Sequence, residues 1–302
     1  MKSFIALLCV GFALSGPLRA KPKSPSPLKI ESGTHLVLLG NGLGSRMMRY
    51  GHFETEMQRR YATHKLFIRN MCDEGNTPAF RPHSGRNDPW PFPGAEKYRT
   101  LSKARDRWGS GHAGNGFYEK PDQWLTRLKA DVIVAFFGFN ESFEGAAGLE
   151  RFKSELTDFI KHTRAQKYNG RSAPQLALVS PIAFEDLSAT HGTPDGKVAN
   201  TNLAIYTAAM EDVARRHGVL YLDIFSVTHG WFKNAKVPLT RDGALLNEAG
   251  YKRLAPVLAD GLFGGAVVGG SSAKILEVVR EKNWFWHKYY KIPNGVHVYG
   301  RR

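Results

Sequence analysis

Five short apolar runs, separated by longer amphipathic stretches, set the pattern of this chain. Residues 36–39, 65–69, 131–137, 175–180 and 219–222 read as strands. The run from Asp131 to Phe137 is the clearest, because it is continuous, β-branched and aromatic, as a central parallel strand buried on both faces should be. Between the runs the apolar period changes to that of a helix. Leu43, Met47, Tyr50, Met57 and Tyr61 predict a helix after the first strand. Leu149, Phe152, Leu156, Phe159 and Ile160 mark an amphipathic helix, with Asn169-Gly170 following as a stop. Leu203, Tyr206, Met210 and Val213 share one face of a helix over residues 199–217, closed by Gly218. A short helix starts at Pro121, an irregular one covers 225–235, and another begins at Glu248 with Tyr251, Leu254 and Leu258. Strand and helix alternate five times, which predicts a three-layer α/β/α fold around a five-stranded parallel sheet.

The ends of the chain depart from this alternation. Residues 1–20 have the pattern of a secretory leader: Lys2, an apolar run from Phe4 to Leu14, and Leu18-Arg19-Ala20 as an imperfect small-residue cleavage site. The apolar run is too short for an ordinary transmembrane helix. Residues 21–33 read as a linker and 34–262 as the α/β domain. Residues 263–302 read as a further helix with a basic aromatic tail that includes Trp284, Trp286, Tyr289 and Tyr290. Packing of that tail back onto the domain is the expectation, with a sugar or an acidic surface as the other reading. Two long polar stretches, 76–121 and 183–197, are expected to cross the carboxyl edge of the sheet. His83, Trp90, Trp108 and His112 lie in the first and read as packed loop residues. No spacing typical of metal ligands occurs, and neither a metal nor a cofactor is expected.

Composition adds two constraints. Of 302 residues only Cys9 and Cys72 are cysteines, so removal of the leader leaves one thiol, no internal disulfide, and a fold that depends on its apolar core. Loss of Lys2 and Arg19 with the leader lowers the formal net charge from +15 to +13. That balance favours an acidic surface partner or simple solubility, and the basic residues follow no nucleic-acid motif. An exported, periplasmic or extracellular protein, not integral to the membrane after processing, is the expectation.

The chemistry centres on the turn Gly40-Asn41-Gly42-Leu43-Gly44-Ser45 after the first strand. It nearly spells the dinucleotide fingerprint G-x-G-x-x-G, but Ser45 stands at the third glycine. Arg69 and Asn70 end the second strand where an acidic residue would hold a ribose. A dinucleotide-binding oxidoreductase is therefore the weaker alternative.

The stronger reading combines three turns. The chain resembles the SGNH hydrolases, or GDSL esterases, over residues 34–258, on the order of its motifs. Gly40-Asn41-Gly42 stands at the family's G-D-S, so Gly42 occupies the position of the nucleophilic Ser. Asn70 to Gly75 aligns with the second block, where the oxyanion Gly is replaced by Cys72 or shifted to Gly75. Gly138-Phe139-Asn140-Glu141 matches G-x-N-D and keeps the Asn. Asp242-Gly243-Ala244-Leu245 matches D-x-x-H and keeps the Asp, with Leu245 at the position of the base. Phe136-Phe137-Gly138-Phe139-Asn140-Glu141-Ser142, Gln166-Lys167-Tyr168-Asn169-Gly170 and Ser180-Pro181-Ile182-Ala183 are similar to an exported bacterial subgroup in which G-N-x replaces G-D-S.

The resemblance implies an SGNH-type, flavodoxin-like fold and an ester hydrolase, with carbohydrate deacetylation as one version. It implies Asn140 and Asp242 as retained catalytic-motif residues, and Gly40, Asn41, Gly42, Cys72, Gly75 and Asn140 as the binding set. Acyl-enzyme chemistry needs a nucleophile and a base. Gly42 has no side chain and Leu245 cannot take a proton. Weak activity or a non-catalytic ester- or carbohydrate-binding module are both open readings. Ser45 reads as helix surface and Cys72 as a buried structural thiol. Asp242 is expected to cap the following helix or hold its loop, with His83, His112 or His191 as histidines it could orient.

Overall fold

A computed structural model of the chain describes residues 26–82, 89–99, 119–264 and 272–291. The five strands are β1 (His35–Gly40), β2 (Phe67–Asn70), β3 (Val132–Phe136), β4 (Gln175–Val179) and β5 (Leu220–Leu222). All neighbours pair in parallel, in the order β2-β1-β3-β4-β5. This is the flavodoxin-like doubly wound order. The direction of winding reverses between β1 and β3, so a crevice opens beyond the carboxyl ends of these two strands.

Alternate strand residues face opposite layers, as the two-residue period of a strand requires. Val37, Leu39, Ile133, Ala135, Leu176 and Leu178 belong to one apolar cluster with the helices α5 (Leu149–Ala165) and α7 (Lys197–His217). Leu36, Leu38, Val132, Val134, Ala177 and Val179 belong to the other, with α2 (His52–Arg60) and α9 (Glu248–Phe263). Phe136, Tyr206, Met210, Met57 and Leu258 are almost wholly buried in these layers. No helix among the described residues is long and apolar enough to cross a membrane.

The short helix expected from Pro121 is α3 (Pro121–Arg127), and several other expected elements change at their ends. The single helix expected after β1 is two helices, α1 (Gly42–Tyr50) and α2, broken at Gly51, whose φ of 71° closes α1 in the left-handed region. Leu43 through Tyr61 keep helical spacing on either side of the break, and spacing alone does not register a one-residue kink. The 183–197 stretch contains a single turn, α6 (Ser188–His191). Part of the expected linker is docked: Leu28 is buried, and its N–H donates to Leu262 O at 2.8 Å. Beyond α9, helix α10 (Ser272–Phe285) runs into a π-helical turn over Trp286–Tyr290 that lies against the domain. There Trp286 is buried and donates from Nε1 to Asn70 O at 2.8 Å, while Lys282 Nζ reaches both oxygens of Glu54 at 2.7 Å. Trp284, Tyr289 and Tyr290 remain exposed. His83, Trp108 and His112 lie outside the described residues.

Candidate functional site

The turn after β1 is built by close approach. Gly40 has φ 128°, and a Cβ there would lie 2.1 Å from Phe136 O, so only glycine lets the turn lie against β3. The Asn41 N–H donates to the same carbonyl at 3.0 Å. The buried Asn41 side chain then caps α1, its Oδ1 accepting the Leu43 N–H at 3.4 Å. One residue on, Gly42 opens the helix. A Cβ at Gly42 would meet only Glu74 Cγ, at 3.9 Å, so the place where a side chain would stand is open space. The Gly42 N–H, one of the first-turn amides without an intrahelical acceptor, has no acceptor among the described residues.

The second corner is the short helix α4 (Phe139–Ser142) after β3. Gly138 precedes it, and Glu141 turns back so that its Oε2 accepts the Gly138 N–H at 2.8 Å. Asn140 Nδ2 donates to the carbonyls of Glu74, at 2.8 Å, and Asn76, at 2.9 Å. Both amide hydrogens are thereby engaged by the loop after β2. Asn76 in turn donates from Nδ2 to Gly40 O at 2.9 Å, which ties the first turn to the same loop.

The third corner is the loop between α8 (Ile224–Asn234) and α9. Asp242 Oδ1 accepts the N–H groups of Ala244, at 3.0 Å, and Leu245, at 2.8 Å. Asp242 thus holds its loop, and the cap of α9 is Asn247, whose Oδ1 accepts the Gly250 N–H. No imidazole is hydrogen-bonded to Asp242 among the described residues. His191, exposed at the end of α6, faces Thr190 Oγ1 at 2.7 Å instead.

These corners meet. A cleft of about 130 Å³ is lined by Gly42, Leu43, Glu74, Phe139, Asn140, Pro181, Ile182, Ala244 and Leu245. Gly42, Asn140 and Leu245 therefore share one cavity at the β1/β3 crevice, although 203 positions of sequence separate the first from the last. Among the described residues that line it, Glu74 and Asn140 are the ones with polar side chains. Glu74 is exposed and lies 3.7 Å from Arg46 Nη1. Sequence reasoning did not single out Glu74, Pro181 or Ile182 as lining residues. The Ser180-Pro181-Ile182-Ala183 run was the available signal, since it ends a strand at the same edge.

Other expected site residues lie elsewhere. Cys72 is fully buried and free, lines neither this cleft nor the larger one beside it, and has its thiol pushed far up by burial. Its sulfur packs against α1, where a Cβ on Gly44 would come within 2.4 Å. A thiol so placed is a packing group, because the reactive form is the thiolate. Gly75 lines the larger neighbouring cleft, not the small one. No group of three or more His, Cys, Asp or Glu able to hold a metal occurs among the described residues.

A five-stranded parallel sheet in the order β2-β1-β3-β4-β5, with a small cleft at its switch point, places the chain in the class of doubly wound α/β proteins. The GDSL-like Lipase/Acylhydrolase family profile matches residues 80–253, more than half of the chain, and the chain belongs to that family. The match begins after the Gly40-Asn41-Gly42 turn, so that corner joins the site by geometry and not by the profile. Among solved structures, a putative GDSL-like lipase from Parabacteroides merdae is similar at 13% identity and a TM-score of 0.54, over 78% of this chain and 99% of that one. Axe2, an acetylxylan esterase from Geobacillus stearothermophilus, is similar at 14% identity and a TM-score of 0.53, over 81% of this chain and 100% of that one. At such identities the likeness is one of fold. No curated protein matches the sequence.

Proposed function

We propose that this chain is an exported SGNH-type protein whose small cleft binds the acyl group of an ester without turning it over by the family's Ser–His route. The observation that carries the reading is the pairing of Gly42 and Leu245 on one wall system with Asn140. At the positions that would hold nucleophile and base stand an empty space and an aliphatic side chain. An acyl-enzyme path lacks both proton-handling groups there. The oxyanion side is also reduced, since both Asn140 amide hydrogens are engaged by Glu74 and Asn76. The Gly42 N–H is the remaining donor for a carbonyl oxygen. Leu43, Phe139, Ile182 and Leu245 supply the apolar contact that an acyl chain needs.

Export rests on the leader-like pattern of residues 1–20. The acetylxylan esterase among the structural neighbours makes an acylated polysaccharide the favoured ester. No observation favours the dinucleotide alternative: the Asn41 side chain caps the helix that would face a pyrophosphate, and Asn70 is engaged by Gly44 O and the Cys72 N–H. Hydrolysis of a short activated acyl ester by the full chain tests the reading. The expected rate equals buffer background, and turnover abolished by Asn140→Ala contradicts it.

A further inference from the structure

On the other flank of Asn140 lies a larger cleft of about 480 Å³, within the size range of small-molecule sites. Phe80 and Tyr98 give it aromatic faces, and Arg99, Glu144, Arg151 and Glu155 give it charged groups. Those charges largely satisfy one another. Arg151 pairs with Glu144 and lies 3.4 Å from Glu155, and the Arg99 guanidinium stacks 4.4 Å from the centre of the Phe80 ring. Glu141 also lines the cleft. It is only 7% exposed, and while its Oε2 caps Gly138, its Oε1 has no hydrogen-bond partner among the described residues. A buried carboxyl oxygen without a partner, on a residue that lines the cleft, is capacity for a further hydrogen bond.

We propose that this cleft is a subsite for a neutral saccharide ring, adjoining the acyl cleft and separated from it by Asn140. It rests on the ester-binding reading only for the position of the acyl group. Three features choose a neutral polyol. Hydroxyl groups donate and accept, and so match a wall that offers both carboxyl oxygens and guanidinium N–H groups. The half-exposed Tyr98 ring suits the apolar face of a sugar ring, with Arg99 already stacked on Phe80. Arg99 and Arg151 are matched by Glu144 and Glu155, so the wall carries no surplus of positive charge to hold an anionic sugar. Burial, chiefly, pushes the Glu141 carboxyl up to about 8 and Glu155 up to about 7, so Glu141 is a proton donor at neutral pH. Glu155 and Arg81 face Glu141 electrostatically, as does the Tyr206 hydroxyl from α7.

Calorimetric titration of the full chain with unesterified xylotetraose, cellotetraose and mannotetraose, beside tetragalacturonate as the anionic probe, tests the subsite. At least one neutral probe is expected to bind with a Kd of about 1 mM or tighter. Tyr98→Ala and Arg151→Ala, both at exposed or half-exposed positions, should each weaken it about fivefold or more. Binding should weaken between about pH 6 and about pH 9, and Glu141→Gln, which keeps a capping oxygen and a donor, should reduce that dependence to the part that Glu155 supplies. Absence of binding by all three neutral probes overturns the proposal. So does binding of tetragalacturonate alone, or binding indifferent to both the Tyr98 and Arg151 changes. If Glu141→Gln does not fold, the Tyr98 and Arg151 variants decide. Because the probes carry no ester, failure of the acyl cleft to bind an ester leaves this result untouched.

Discussion

Asn140 donates to the carbonyl oxygen of Glu74 at 2.8 Å, joining the first turn after β3 to the loop after β2. The companion bond to Asn76 makes the residue a brace between two corners of the crevice. Asn140→Ala should therefore destabilise the fold by about 1–2 kcal/mol, roughly the net worth of two partly exposed hydrogen bonds. Asn140→Asp should cost more, because a carboxylate faces two carbonyl oxygens. Chemical denaturation of the three chains measures the order. A stability equal to wild type for Asn140→Ala would show the amide to be free for a ligand.

Gly44 and Cys72 form the packing contact beneath the same turn. A Cβ on residue 44 would stand 2.4 Å from Cys72 Sγ and 2.9 Å from Phe136 Cδ2. Gly44→Ala is expected to cost about 1–3 kcal/mol through overpacking. Combining it with Cys72→Ala should cost less than the sum of the two single changes, since the cavity and the added methyl occupy neighbouring space. Thermal unfolding of the four chains closes the cycle. In the native chain Cys72 should resist thiol reagents, because it is fully buried and its pKa is raised. Labelling read at the Cys72 peptide should follow the rate of opening rather than reagent pH.

The buried carboxyls make stability fall with pH. Burial holds the Glu141 carboxyl up at about 8 and Glu155 at about 7, whereas the unfolded chain releases these protons in the usual carboxylate range near about 4.3. Between those limits the folded state binds more protons than the unfolded state, so the sign of the linkage is a loss of stability as pH rises. The contribution is fully present below about pH 4 and declines up to about pH 8. Glu141→Gln should flatten that decline, as measured by denaturation midpoints across the range. A midpoint that rises from acid to neutral and is unaffected by Glu141→Gln would contradict it.

Much of the fold was legible because its signals are local. The alternation of apolar runs and helical spacing gave the five strands in order, and β3, the most apolar run, is the central strand between β1 and β4. The Gly51 break was not legible, since the residues on either side keep one apolar face. Gly42, Asn140 and Leu245 share a cleft because a parallel sheet sends every strand's carboxyl end to one edge. That consequence follows from topology and could be read in advance. The partners of Asn140 could not. They are backbone carbonyls of Glu74 and Asn76, and carbonyls leave no trace in sequence. Cys72 aligned with a binding block but is buried beneath α1, because Met71 and Cys72 join opposite apolar layers and Cys72 falls in the one that holds Met47 of α1. Arg151 and Glu155 sit on α5, 10 and 14 positions beyond Glu141 and outside every motif, and only the fold shows that they line one cleft with it.

The central claim is that Gly42, Asn140 and Leu245 enclose an SGNH-type acyl site from which nucleophile and base are missing. Gly42 has room for a side chain, and Asp242 Oδ2 accepts no hydrogen bond among the described residues. The most direct measurement is hydrolysis of a short activated acyl ester by the full chain and by the folded Gly42→Ser/Leu245→His double variant. The account predicts background rate for the native chain and a gain of about tenfold or more over background for the variant. Native turnover that Asn140→Ala abolishes, or a well-folded double variant with no gain, would contradict it.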